Sequence, residues 1–203
     1  MNIYLASGSP RRREILDLMH LDYTVFPADA DETLPAGTGM EAAGRLLATR
    51  KAEAAAARLR AEGKLTSDTL VLAADTLVYL DGAPLGKPHT EAEAADMLRA
   101  LGGKRHTVCT GVCLYAGGRA HAACDVTAVT MRAYGEDEVR AYVATGEPLD
   151  KAGAYGIQGI GAVLVEKIDG DFFTVMGLSP RIVRDLMQKA GYSYFDLLRK
   201  DFS

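Results

Sequence analysis

The alternation of apolar and polar stretches divides the chain into strands and helices in mixed order. Ile3 to Ala6 form a short apolar run, read as a strand, and Tyr23 to Phe26 alternate as a second. Leu70-Val71-Leu72-Ala73-Ala74 is continuously apolar, the pattern of a strand buried on both faces. Asp75-Thr76 interrupt it, Leu77 to Leu80 resume it, and Asp81-Gly82 signals a hairpin turn. Thr107 to Tyr115, and a Val- and Thr-rich run through Ala122 to Met131, predict two strands turned by Gly117-Gly118. Val163 to Ile168 and Phe172 to Val175 predict a final hairpin around Asp169-Gly170.

Helix start and stop signals fall between these runs. Ser9 has the chemistry of an N-cap, and Pro10 stands where the first helical residue belongs. Thr38-Gly39-Met40-Glu41 is a capping-box pattern that opens a long Ala-rich helix ending near Gly63. Thr90-Glu91-Ala92-Glu93 opens another, which stops at Gly102-Gly103. Asp137 to Ala144 is a short helix closed by Gly146, and Ser179-Pro180 opens a last one that ends at Gly191. Gly153 to Gly161 is a glycine-rich loop, whose backbone must approach something closely. Strands that both alternate with helices and pair as hairpins predict an α/β fold: a mixed twisted sheet with flanking helices. There is no internal repeat, low-complexity tract or linker, so one domain spanning 1–203, built as two lobes, is expected.

Composition narrows the classes. A net charge of −4 disfavours broad nucleic-acid binding, though it permits a local basic pocket. No apolar run is long enough for a membrane span and the N-terminus lacks the apolar core of a signal peptide, so a soluble cytoplasmic protein is expected. Cys109, Cys113 and Cys124 form no C-x-x-C and read as free thiols, and the four histidines show no zinc-ligand spacing.

The candidate chemistry starts at the first strand-to-helix turn. Ser7-Gly8-Ser9-Pro10 is followed by Arg11, Arg12 and Arg13 in the first helical turn, where each cation costs about 0.3–1 kcal/mol against the helix dipole. An anion docked there offsets that cost: backbone N–H groups, serine hydroxyls and guanidinium forks together make a polyphosphate cradle. It is not a Walker loop. Asp75, a carboxylate directly after five buried apolar positions, needs a metal, a cation or a substrate proton as partner; a capped turn or structural ion pair is the bland alternative. Asp31 and Glu32 could join it around a divalent ion, or be solvated loop acids. Lys51 reads as a solvated helix lysine. Lys87, between Gly86 and Pro88, is either a point charge for phosphate or an ordinary loop lysine. Gln158 offers a donor and an acceptor suited to a base edge, and Lys151 a phosphate contact or half of an ion pair. The inventory suggests phosphoryl or nucleotidyl transfer to water, with a carboxylate as base and a bound divalent ion.

These residues resemble the signature of Maf proteins, nucleoside triphosphate pyrophosphatases first discussed as septum-formation inhibitors. The resemblance runs through Ser7-Gly8-Ser9-Pro10-Arg11-Arg12, Ala74-Asp75-Thr76 and Leu85-Gly86-Lys87-Pro88. It continues through Gly146 to Gly159 and Val175-Met176-Gly177-Leu178, in order over nearly the whole chain. It implies a Maf/inosine-triphosphatase-like α/β architecture with two lobes around a cleft, often a homodimer. It implies hydrolysis of dTTP or UTP between the α and β phosphates, with Mg or Mn as divalent metal cofactor. Asp75 matches the family's proton acceptor, and Arg11, Thr76 and Gln158 match positions tied to substrate choice. Ser7, Arg12, Glu32, Lys51 and Lys87 fall where the family places phosphate and metal contacts. Gly156-Ile157-Gln158-Gly159 is similar to the branch acting on dTTP, UTP and modified pyrimidines rather than on 7-methyl-GTP. Arg13 departs from the family pattern and is expected to face solvent. The rival readings are a non-catalytic, nucleotide-sensing regulator of cell division and, disfavoured by charge and by the lack of an aromatic platform, a nucleic-acid module.

Overall fold

The computed structural model describes residues 1–199; residues 200–203 of the expected domain lie outside the described residues. Its sheet has seven strands: β1 (Asn2–Leu5), β2 (Tyr23–Val25), β3 (Thr69–Leu80), β4 (Ala83–Leu85), β5 (Arg105–Ala116), β6 (Arg119–Met131) and β7 (Val165–Asp169). The strand order is β2-β1-β3-β5-β6-β7, with β4 paired to β3. β1 runs parallel to β2 and β3, whereas β3–β4 and β6–β7 are antiparallel, so the sheet is mixed, as expected. The helices are α1 (Pro10–Leu18), α2 (Met40–Ala61), α3 (Glu91–Leu101), α4 (Glu136–Val143), α5 (Phe172–Met176) and α6 (Pro180–Lys189). The chain forms two compact units. One comprises Met1–Asp75, Thr110–Asp125 and the stretch from Gly177; the other comprises Thr76–Cys109 and Val126–Met176.

In the first unit, the run Leu70 to Ala74 is fully buried, as its uninterrupted apolar pattern requires. Leu5 of β1, Ile15 and Leu16 of α1 and Leu59 of α2 are also fully buried; each contributes about 1.5–3 kcal/mol by leaving water. The inward face of α2 is mostly alanine: Ala43, Ala48, Ala52, Ala55 and Ala56 are buried at helical spacing. Small side chains let this helix lie close to the sheet. At Gly111 of β5 the approach is backbone to backbone, and a Cβ there would fall 1.9 Å from the carbonyl oxygen of Gly44 in α2. α2 does not start as its sequence suggests. The Thr38 hydroxyl donates to Pro35 O at 2.7 Å, and Gly39 takes the N-cap position. Glu41 pairs with Arg45 at 3.3 Å. The hydroxyl that would have capped α2 is used in the preceding turn.

In the second unit, Leu98 and Leu101 of α3 pack with Val78, Val108, Val129, Met131, Tyr142, Tyr155 and Leu164 in one buried cluster. The α3 capping signal is real: Thr90 accepts from the Glu93 N–H at 3.1 Å. Asp81 and Gly82 both take positive φ (52° and 83°), which lets the chain reverse directly from β3 into β4. The expected last hairpin is not formed. β7 pairs with β6, and Phe172–Met176 is a short helix, α5. The reason is Asp171, whose Oδ1 accepts from the Phe173 N–H at 2.9 Å. Its backbone N–H donates to Thr127 Oγ1, also at 2.9 Å. That N-cap outweighs the β preference of Phe-Phe-Thr-Val.

Candidate active site

The start of α1 is built from Ser7 and Arg12. Ser9 occupies the N-cap position, but its side chain makes no capping bond. Its N–H instead donates to Ser7 Oγ at 3.2 Å. Ser7 Oγ also accepts from Arg12 Nη1 at 2.9 Å, and Arg12 Nε donates to the Gly177 carbonyl at 2.9 Å. With both contacts made as acceptor, the Ser7 hydroxyl keeps its own O–H as a donor. The Arg12 guanidinium is therefore clamped inward rather than splayed into water. Burial pulls its pKa down to about 10; the charge of Asp75 works against that pull and the charge of Arg11 with it. It stays a cation at neutral pH. Arg11 is half-buried, and Arg13 is exposed, as expected.

Lys51 is not a solvated helix lysine. From the middle of α2 its Nζ bonds Asp75 Oδ1, and it lies 2.7 Å from Glu32 Oε1. The Lys51 and Asp75 side chains are only 18% and 14% exposed, so each charge needs the other as a partner, and Glu32 adds a second carboxylate to the lysine. Asp75 thus has the partner that its desolvation demands. Asp31 goes elsewhere, accepting from the Thr33 N–H at 2.9 Å and lying 3.5 Å from Arg50. Glu32, which is 65% exposed, is the loop acid that joins Asp75 on Lys51. Among the described residues no three His, Cys, Asp or Glu side chains gather as a metal cluster. The two carboxylates on Lys51 are hard oxygen donors, a set that suits Mg or Mn when substrate phosphates and water complete the shell.

The second unit carries the remaining candidates. Lys87 is exposed beside Gly86, whose carbonyl accepts from the Gly153 N–H at 3.0 Å. Thr76 is half-buried. Gln158 is half-buried, and its Oε1 is fully enclosed with no hydrogen-bond partner. A buried amide oxygen without a donor costs about 1–3 kcal/mol and suits a site that awaits an N–H. Lys151 is half of an ion pair: its Nζ donates to Asp150 Oδ1 at 2.7 Å and to the Glu147 carbonyl at 2.6 Å.

Glu147 escaped the reading of the sequence. Its Oε1 accepts from the Tyr142 hydroxyl and the Gly161 N–H, each at 2.9 Å, and its Oε2 accepts from the Ile160 N–H at 3.0 Å. Burial pushes this carboxyl up. The donors Gly161, Ile160 and Tyr142, with the charge of Lys151, outweigh burial and hold it below the usual carboxylate range. A glycine-rich loop with many N–H donors, preceded by a lone glutamate, was the available signal.

Residues 2–190 match the family model described as Maf-like protein. A relative from Bacillus velezensis named dTTP/UTP pyrophosphatase is 46% identical, over 87% of this chain and 89% of its own. One of the same name from Moorella thermoacetica is 49% identical, over 91% and 93%. The structure titled "The structure of the Staphylococcus aureus Ham1 protein" covers 97% of this chain at 17% identity, with a TM-score of 0.49, a likeness too slight to add to the argument. The serine–arginine helix start, the acid that ends a buried strand run and the match over nearly the full length agree, and the chain belongs to the Maf-like protein family.

Proposed function

We propose that the protein hydrolyses dTTP or UTP between the α and β phosphates, giving the monophosphate and pyrophosphate. The observation that carries this reading is the charge arrangement of the first unit: an inward Arg12 and a Lys51 held by two carboxylates. Relatives at 46% and 49% identity named dTTP/UTP pyrophosphatase supply the substrate class.

In this reading Arg12 and Lys51, with Arg11, Ser7 and Lys87, neutralise and orient the triphosphate. The fixed cations need no reorganisation as charge develops. Asp75 takes the proton of the attacking water as its oxygen bonds to the α phosphorus, and pyrophosphate departs with the electron pair of the broken P–O bond. Glu32 and Asp75 would hold a divalent metal, Mg or Mn. When bound, that ion supplies Lewis-acid stabilisation of phosphoryl charge. Gln158 reads the base: its unpartnered Oε1 accepts the N3–H of uracil or thymine, and its amide N–H donates to O4. Cytosine presents N3 as an acceptor and its amino group as a donor, and mismatches both. Thr76 supports the same choice.

The test is product analysis on a nucleotide panel with Mg²⁺ or Mn²⁺. Pyrophosphate and monophosphate from UTP and dTTP are expected; orthophosphate release would refute the reaction class. Nucleotide binding without turnover under these conditions would favour the sensing regulator instead.

A further inference from the structure

We propose that Glu147 is a positioning residue for base recognition: its carboxylate pins the loop 156–161, and so sets where the Gln158 amide is held. The inference rests on the role proposed for Gln158 above.

Gln158 lies between Ile157, whose side chain is buried, and the exposed Gly159 and Ile160. Beside that one apolar anchor, a polar hub fixes the loop. The Gly156 N–H donates to the Tyr142 hydroxyl at 3.1 Å, and that hydroxyl donates to Glu147 Oε1. The N–H groups of Ile160 and Gly161 close on the same carboxylate from the other side of Gln158. Residues two before and two and three after Gln158 are thus tied, directly or through one hydroxyl, to a single side chain. The glycines record how close that tie is. A Cβ at Gly161 would sit 2.4 Å from the Tyr142 hydroxyl, and one at Gly159 would sit 2.9 Å from Glu147 Oε2. Glu147 is itself held, since Lys151 binds its carbonyl and Tyr142 its carboxylate. Charge-assisted hydrogen bonds of this kind are stronger than neutral ones, and they are the means by which a flexible loop can present an amide in one orientation.

The geometry distinguishes this role from general scaffolding. Glu147→Gln preserves size but puts an NH₂ against N–H or O–H donors, because an amide has one acceptor atom where the carboxylate has two. Tyr142→Phe removes the link to Gly156 and one donor to Glu147 Oε1, but leaves the carboxylate and its bonds to the Ile160 and Gly161 N–H groups. The experiment measures steady-state pyrophosphate release from UTP and CTP, with thermal unfolding, for the unmodified protein and both variants. Glu147→Gln is expected to raise KM for UTP about tenfold, change kcat by less than about threefold, and cut the UTP-over-CTP preference about tenfold. Tyr142→Phe shifts the same quantities in the same direction by less. A folded Glu147→Gln protein with unchanged KM and preference, or with a lowered kcat alone, would overturn the inference. If that variant does not fold, Tyr142→Phe decides by the same criteria. Should the unmodified protein bind UTP but release no pyrophosphate, the proposed reaction fails, and calorimetric UTP and CTP affinities of the variants decide the role of Glu147.

Discussion

The Lys51 ammonium sits on Asp75 and, at 2.7 Å, on Glu32, so one lysine in the middle of α2 joins the end of a buried strand run to an exposed loop acid. Removing any of the three changes the charge balance of the other two, but the consequences differ. Asp75→Asn is expected to lower pyrophosphate release by about 10²–10⁴-fold, the usual contribution of a positioned base. Glu32 still holds Lys51, so the unfolding free energy should fall by only about 1–2 kcal/mol. Turnover retained in a folded Asp75→Asn protein would remove Asp75 as the base.

Glu32 separates activity from stability. Its side chain is mostly exposed, so Glu32→Gln should cost less than about 1 kcal/mol in a denaturant titration. If Glu32 holds the metal, the Mg²⁺ or Mn²⁺ concentration for half-maximal rate should rise about tenfold or more in that variant. An unchanged metal dependence would leave it as a partner of Lys51 alone.

At Gln158, replacement by Ala should reduce discrimination against CTP rather than turnover as such. A lost hydrogen-bond pattern of this kind is worth about tenfold or more in the ratio of kcat/KM values. A competition assay with mixed UTP and CTP reads the ratio directly; an unaltered ratio would place base selection elsewhere.

His106 makes stability depend on pH. It is 2% exposed, its Nε2 lies 2.7 Å from the Tyr155 hydroxyl, and its Nδ1 has no partner. Burial lowers its pKa to about 4. The unfolded chain, with a histidine near 6.5, binds the proton more readily, so stability rises with pH through this window. The contribution is fully present above about pH 6.5 and is lost as pH falls towards 4, about 3 kcal/mol in all. Urea midpoints from pH 7 to 4.5 should show the loss, and His106→Gln should flatten the slope. An equal slope in that variant would assign the effect to other groups.

Packing at Gly111 gives the largest expected stability change. A Cβ 1.9 Å from the Gly44 carbonyl cannot be accommodated by a rotamer change, because both partners are backbone. Gly111→Ala should cost about 3 kcal/mol or more, seen as a lowered Tm. A normal Tm would show that α2 can lift off β5.

Much of this was readable from the residues, for identifiable reasons. Leu70 to Ala74 announced a doubly buried strand, and the acid that follows it needed a partner, so Asp75 stood out without any structure. Asp81-Gly82 and the Thr90–Glu93 cap are local devices whose chemistry lies in adjacent letters. What escaped depended on distant or backbone partners. Lys51 in an Ala-rich helix looks like any solvated lysine until Asp75, far along the chain, is placed against it. Glu147 binds the N–H groups of residues 13 and 14 positions on, and a backbone donor has no letter of its own. Phe172 to Val175 carried strand composition, and only the Asp171 cap and its tie to Thr127 made them a helix.

The bare-backbone seat of α2 on β5 has a further consequence for anyone re-engineering the protein. With no side chain acting as spacer, the height of α2 above the strand is set by atoms that mutation cannot trim, and Lys51, two turns on from Gly44, inherits that setting. Repacking the alanines with larger residues, an ordinary route to a hotter-melting variant, would raise the helix like a shim under a hinge. The first thing to come unlatched would be the lysine's grip on Asp75 in the middle of β3, so heat tolerance gained on this face would be withdrawn from the charge cluster proposed for catalysis.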